Sequence, residues 1–298
     1  MEFALLGPLT VAHEGDDLTP RAEMVRKALA LLLVRANRLV PTELLVEELW
    51  DATPPRLARK TVQTYMYQLR QLLGPGADAR LRTQAGGYLL EVEPGLIDAH
   101  EFQDEAARGR AALAQGDPGA ASELLAQALR RWRGAALEGL TLGPVLAGFA
   151  ARLDELWLGA TEQRIDAELR LGHHRELLPE LRELLLTHPT NEPLCADLML
   201  AAYRADEREL ALAAYGALRR AVAESAGLEP SSRLRELQLQ ILNEDPALDW
   251  RPHAPCVTRR LVQPAAPLHA AARKHTAAPP VARCAHRPRA LHAGRGSS

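Results

Sequence analysis

Short apolar runs open the chain, and a helical spacing of apolar positions takes over after Pro20. Phe3 to Pro20 reads as short strands, with apolar runs broken by Gly7-Pro8 and by the turn cluster Glu14 to Asp17. From Arg21 to Ala36, Met24, Val25, Ala28, Leu29, Leu31 and Leu32 follow the spacing of a helix. A second, shorter helix is predicted from Pro41-Thr42-Glu43 to Trp50, because proline in a first helical turn costs no hydrogen bond. Thr53-Pro54-Pro55 ends it. A third helix spans Leu57 to Leu73 and stops at Gly74-Pro75-Gly76. The runs ARLRTQ and YLLEV, joined near Gly86-Gly87, then form a candidate hairpin. Strands, three helices and a hairpin within residues 1–92 give the element order of a winged helix-turn-helix.

Residues 97–249 change character. They are rich in Ala and Leu and almost free of strand signals, with turns at Gly116-Asp117-Pro118, Gly172, His188-Pro189 and Gly227 to Pro230. Small residues at Ala111, Gly116, Ala120, Ala121 and Ala128 suggest two closely approaching antiparallel helices, as in a tetratricopeptide-type (TPR-like) pair. Glu192 to Arg204 with Glu207 to Glu224 is a second such pair. The predicted fold class is therefore mainly α with a small β component: a winged helix followed by an all-α TPR-like bundle. Residues 250–298 carry no periodic apolar pattern and read as a disordered basic tail.

A length of 298 residues accommodates two or three domains of roughly 100–200 residues each. The longest apolar run, Ala28 to Val34, is far below the ~18 residues of a membrane span. The opening MEFALLGPLTV lacks a basic segment and meets Pro8 early, so no signal peptide is expected. Cys195, Cys256 and Cys284 are odd in number and widely spaced, which suits a reducing, cytoplasmic compartment.

The net charge of −2 conceals an uneven distribution. Residues 1–92 hold 11 basic and 11 acidic side chains, residues 93–249 hold 16 and 27, and the tail holds 9 basic and none acidic. Within the neutral first part, Arg56, Arg59, Lys60, Arg70, Arg80 and Arg82 face only Asp78. That local excess suggests a focused polyanion contact, although a solvated helix face would give the same counts.

The third helix carries the most information. A helical projection puts Val62, Met66, Leu69 and Leu73 within roughly 40° of one another, a stripe to be buried. The opposite face carries Lys60, Thr64, Tyr67 and Gln71, flanked by Gln63, Gln68 and Arg70, and no carboxylate. These side chains reach bases and phosphates: Lys and Arg to guanine or phosphate, Gln to adenine, a Thr methyl to thymine. The bland alternative is a polar face turned to water. In the hairpin, Arg80, Arg82 and Thr83 are candidates for phosphate or minor-groove contact.

Other constellations carry less. His173-His174, Glu176 and His188 do not form a ligand cluster, and Glu47-Glu48 reads as a solvated helix face. Trp132 and Trp157 are expected to pack between helices. No P-loop or dinucleotide-binding glycine pattern occurs, so neither an enzyme nor a cofactor is expected.

MEFALLGPLTV, KALALLLVRANRLVPTELLVEELW, TVQTYMYQLRQLLG and RTQAGGYLLEV together resemble the SARP family of antibiotic regulatory proteins. In that family an OmpR-type winged helix precedes a bacterial transcriptional activation domain. DAHEFQDEAARGRAAL, the segment from Leu153 through LRLGHHRELLPELRELLLTHPTNE, LMLAAYRADERELALAAYGALRR and GLEPSSRLRELQLQIL are similar to the activation domain, and the resemblance covers about residues 1–248. It implies that Arg59 to Leu73 is a recognition helix and Arg80 to Val92 a wing. It further implies double-stranded promoter DNA with direct repeats as the target, bound by a homodimer or cooperative oligomer, and RNA polymerase holoenzyme as a partner at genes for a secondary metabolite. Tyr67-Gln68 departs from the small residue followed by Arg expected there, which predicts a shifted sequence preference or one phosphate contact fewer. A second reading is a helical scaffold or ligand-sensing regulator whose winged helix contacts protein; the acidic helical part favours it.

Overall fold

A computed structural model describes residues 1–74 and 79–251; the basic tail expectation lies outside them. The first strands, β1 (Glu2–Ala4), β2 (Thr10–His13) and β3 (Asp16–Asp17), form an antiparallel sheet in that order. Three helices follow, α1 (Glu23–Val34), α2 (Thr42–Trp50) and α3 (Ala58–Leu73), then the hairpin β5 (Ala79–Gln84) and β6 (Gly87–Val92). One strand escaped the sequence pattern: β4 (Leu39–Pro41) pairs with β6 and completes a sheet of order β4-β6-β5. Three residues are too few for a periodicity to register, and a proline ends the strand at an edge, where its missing N–H is tolerated.

The helical part comprises α4 (Asp98–Ala114), α5 (Pro118–Leu129), the 28-residue α6 (Pro144–Leu171), α7 (His174–Thr187), α8 (Glu192–Arg204), α9 (Arg208–Ala226) and α10 (Ser232–Leu242). Asp117, Asn191 and Ser231 cap α5, α8 and α10 with side-chain oxygens on backbone N–H groups, and Gly172 and Gly227 end α6 and α9 in left-handed geometry. The α4–α5 pair is close, and Ala121 and Ala128 are fully buried as expected, but the rest of the contact differs. Ala111 and Gly116 are exposed, whereas Gly109 faces α5 so tightly that a Cβ there would lie 2.6 Å from Leu125 Cγ. Trp132 packs edge-on to Phe102 and to Trp157, with centroids 5.5 and 6.4 Å apart.

One apolar core runs from β1 through the three-helix part and into α4, α5 and most of α6; a second fills the space among the end of α6, α7, α8, α9 and α10. The N-terminal and helical parts are joined by carboxylates on backbone N–H groups. Asp98 accepts from Leu5 and Leu6, at 2.7 and 3.1 Å, and Glu23 accepts from Thr141 at 3.1 Å. Glu48, expected to be solvated, is fully buried and accepts from Gly143 and Val145 at 2.7 and 2.8 Å. It therefore caps the N-terminus of α6 from another part of the chain, where a negative charge also meets the positive end of the helix dipole. The residues between α5 and α6 complete the joint, with Arg133 and Leu137 donating backbone N–H bonds to the carbonyls of Leu6 and Leu5.

Candidate nucleic-acid interface

The α3 helix divides into two faces, as its sequence predicts. Val62, Met66, Leu69 and Leu73 are buried, and Tyr65 stacks on Trp50 of α2 with centroids 6.3 Å apart. Lys60, Gln63, Thr64, Tyr67, Gln68 and Gln71 are all exposed. Tyr67 leaves 62% of its surface in water, an uneconomical position for an aromatic ring in a free domain. The Thr64 hydroxyl donates to Lys60 O on its own helix, which commits its hydrogen and leaves the methyl group available.

Electrostatics at the start of α3 work against local helix stability. Its first turn carries Arg59 and Lys60 and no acidic residue, and Leu57 provides no side-chain cap. Cations at the positive end of a helix dipole are unfavourable by a few tenths of a kcal/mol each, up to ~1. An anion placed there would reverse that sign.

The carboxylate-free face seen along α3 is not carboxylate-free in space. Glu43 on α2 reaches Arg59, with Nη2 to Oε1 at 2.7 Å. Side-chain exposures of 75% and 63% make this a pair that contributes less than ~1 kcal/mol and yields readily to a phosphate. On the wing, Arg82 Nε lies 2.8 Å from Glu91, also at the surface. Lys60 and Arg80 have no ion pair among the described residues, nor does Arg56, which sits exposed just before α3. Arg56 was visible in the sequence only as part of the charge count.

Arg70 and Thr83 are placed together. Arg70 Nε donates to Leu81 O at 3.2 Å, Nη2 donates to Thr83 Oγ1 at 2.6 Å, and the guanidinium lies 5.9 Å from the Tyr88 ring centroid. Recognition-helix and wing candidates thus form one continuous surface, tied at its middle. The wing's own position rests on a close approach: a Cβ on Gly87 would sit 2.2 Å from Val40 O, so the β4–β6 pairing requires glycine.

No group of three or more His, Cys, Asp or Glu side chains suited to a metal occurs among the described residues. None of their helices is long and apolar enough to cross a membrane.

Residues 97–242 match the family described as bacterial transcriptional activator domain, and residues 18–90 match transcriptional regulatory protein, C terminal. The chain is 40% identical over 258 residues to Regulatory protein DnrI of Streptomyces peucetius, covering 84% of this chain and 94% of DnrI. It is 35% identical over 274 residues to Transcriptional regulator RedD of Streptomyces coelicolor, covering 88% and 77%. It spans only 25% of Regulatory protein AfsR of the same organism, at 37% identity and 83% of this chain. A solved structure of Mycobacterium tuberculosis EmbR, in complex with a low affinity phosphopeptide, superposes with a TM-score of 0.78 at 34% identity, covering 82% of this chain and 65% of that one.

Proposed function

The chain belongs to the SARP family of transcriptional regulators, not enzymes, and from that premise we propose that it activates transcription by reading promoter DNA with α3 and the β5–β6 wing. The observation that carries this reading is the exposed face of Lys60, Gln63, Thr64, Tyr67, Gln68 and Gln71 beside the cationic wing. In this reading α3 lies in the major groove, where the glutamines and Thr64 contact base edges and the Tyr67 ring packs on thymine methyls. Lys60 and Arg59 hold phosphate, with Arg59 exchanging Glu43 for the DNA. Arg80 and Arg82 follow the backbone at the neighbouring minor groove.

Residues 1–92 form the DNA-binding domain and 97–249 the activation domain in this proposal. Two or more copies occupy direct repeats, and the helical domain engages RNA polymerase holoenzyme in the cytoplasm at a secondary-metabolite gene cluster. The carboxylate joint through Glu48 and Asp98 supports this, because it holds the helical domain in a set orientation on the DNA-bound part.

Selection of duplexes from a randomised pool by the wild-type chain tests the site. Recovery of a repeated motif, with its preferences altered at single positions by Gln71→Ala or Thr64→Val, is the expected result. Recovery of no motif contradicts it.

A further inference from the structure

We propose that Arg70 is a positioning residue, which fixes the wing against the recognition helix rather than reading a base. This rests on the DNA-binding reading above and changes the role of one residue in it. The sequence pattern places Arg70 beside Gln71 on the flank of the DNA-facing surface. In the fold its guanidinium turns away from the open face of α3 and spans three groups of the hairpin: Leu81 O, Thr83 Oγ1 and the Tyr88 ring.

The chemistry of arginine suits the task. A planar fork can donate in two directions from fixed positions while its face rests on an aromatic ring, which a lysine cannot do. Leu81 and Thr83 lie on β5 and Tyr88 on β6, paired across the hairpin as Thr83↔Tyr88. One side chain therefore grips both strands of the wing. It does so in the last turn of α3, where a cation is also favoured by the helix dipole.

The consequence is geometric. A winged helix must meet a major groove with its helix and an adjacent minor groove with its wing at one set separation. The hairpin also pairs with β4, bonds to Asn37 and packs Leu81 and Leu90 into the core that holds Met66 and Leu69, but among the described residues Arg70 is the α3 side chain that hydrogen-bonds to it. Arg70 sets the separation, so its loss costs affinity on every sequence and leaves the choice among sequences intact.

Two variants, Arg70→Lys and Thr83→Val, keep the buried stripe of α3 and the β5–β6 pairing untouched. On the free, full-length protein, amide hydrogen exchange in residues 79–92 is expected to rise in both, with α1 to α3 unchanged. On a duplex selected by the wild-type chain and on single-base variants of it, both are expected to lose about tenfold in affinity to the same degree everywhere. Hydroxyl-radical protection under the wing should fade while guanine N7 protection in the major groove persists. Loss of discrimination at one base pair would overturn the proposal and make Arg70 a base reader. Unchanged exchange in the wing would overturn it without reference to DNA. Lower thermal stability with undiminished affinity would overturn it in favour of a merely structural contact. Failure of the wild-type chain to select any duplex would instead count against the DNA-binding reading, while the exchange result still decides the clamp.

Discussion

The proposed DNA-facing surface and the joint between the two parts of the chain use charge in opposite ways. On α3 and the wing, cations stand in water with weak partners or none: Arg59 with exposed Glu43, Arg82 with Glu91, Lys60 and Arg80 with no ion pair among described residues. At the joint, Glu48 is wholly removed from water and Asp98 nearly so, and each is spent on two backbone N–H groups. The first arrangement gives little stability to the free protein and leaves its charges ready for a partner. The second gives no site and holds geometry. Burial pushes the Asp98 carboxyl upward in pKa, while the N–H groups of Leu5 and Leu6 and then Arg133 pull it back, which shows how closely its hydrogen bonds must offset desolvation.

The contrast is broken most severely at the joint. Glu48→Ala leaves the N–H groups of Gly143 and Val145 unpaired next to a buried cavity, and should cost about 2–4 kcal/mol in urea-induced unfolding of the full chain. An effect below ~1 kcal/mol would show that the cap is dispensable.

A smaller effect is expected where the helical part buries a titratable group. His174 is 7% exposed, both ring nitrogens lack partners, and its ring meets Trp250 edge-on at 5.9 Å. Burial first, and the Arg204 charge second, lower its pKa from 6.5 to about 4. The unfolded chain therefore takes up a proton first as the pH falls, so the stability held above pH 6.5 is lost progressively down to about 4. His174→Phe should flatten that part of the stability profile by at most about 3 kcal/mol relative to wild type. Parallel profiles for the two proteins would contradict the burial account.

At the proposed DNA surface, stability and binding should separate. Lys60→Ala with Arg80→Ala is expected to change unfolding free energy by less than ~0.5 kcal/mol. The same protein should bind its duplex less steeply with salt, the slope falling by about 0.9 for each phosphate contact removed. Mildest of all, Arg59→Ala should leave stability unaltered within error, because its exposed pair with Glu43 contributes almost nothing in the free protein.

The same contrast explains what the sequence made legible. The α3 stripe and its polar face are local, written in sixteen consecutive residues whose helical projection fixes which side each occupies. Even the hairpin followed from glycine and two short strand-like runs. The joint was invisible because Glu48 meets residues 95 and 97 positions away, and nothing in TELLVEELW distinguishes a capping glutamate from a solvated one. Arg70 is intermediate: its place on the flank of α3 was readable, but its partners 11 and 13 residues on depended on how the hairpin folds back. Gly109 joins Ala121 and Ala128 in the α4–α5 region while Ala111 and Gly116 stay exposed, because the side of a helix that meets its neighbour is set by packing rather than by small-residue content alone.

Competition binding over a salt series tests the central claim most directly, using the full chain, a duplex from the promoter region beside its own gene and a scrambled duplex of equal length. The account predicts binding that survives scrambled competitor and weakens steeply as salt rises, with Lys60→Ala plus Arg80→Ala reducing both affinity and slope. Equal, weak binding to the two duplexes, or a double variant indistinguishable from wild type, would contradict the assignment of α3 and the wing as the DNA-reading surface.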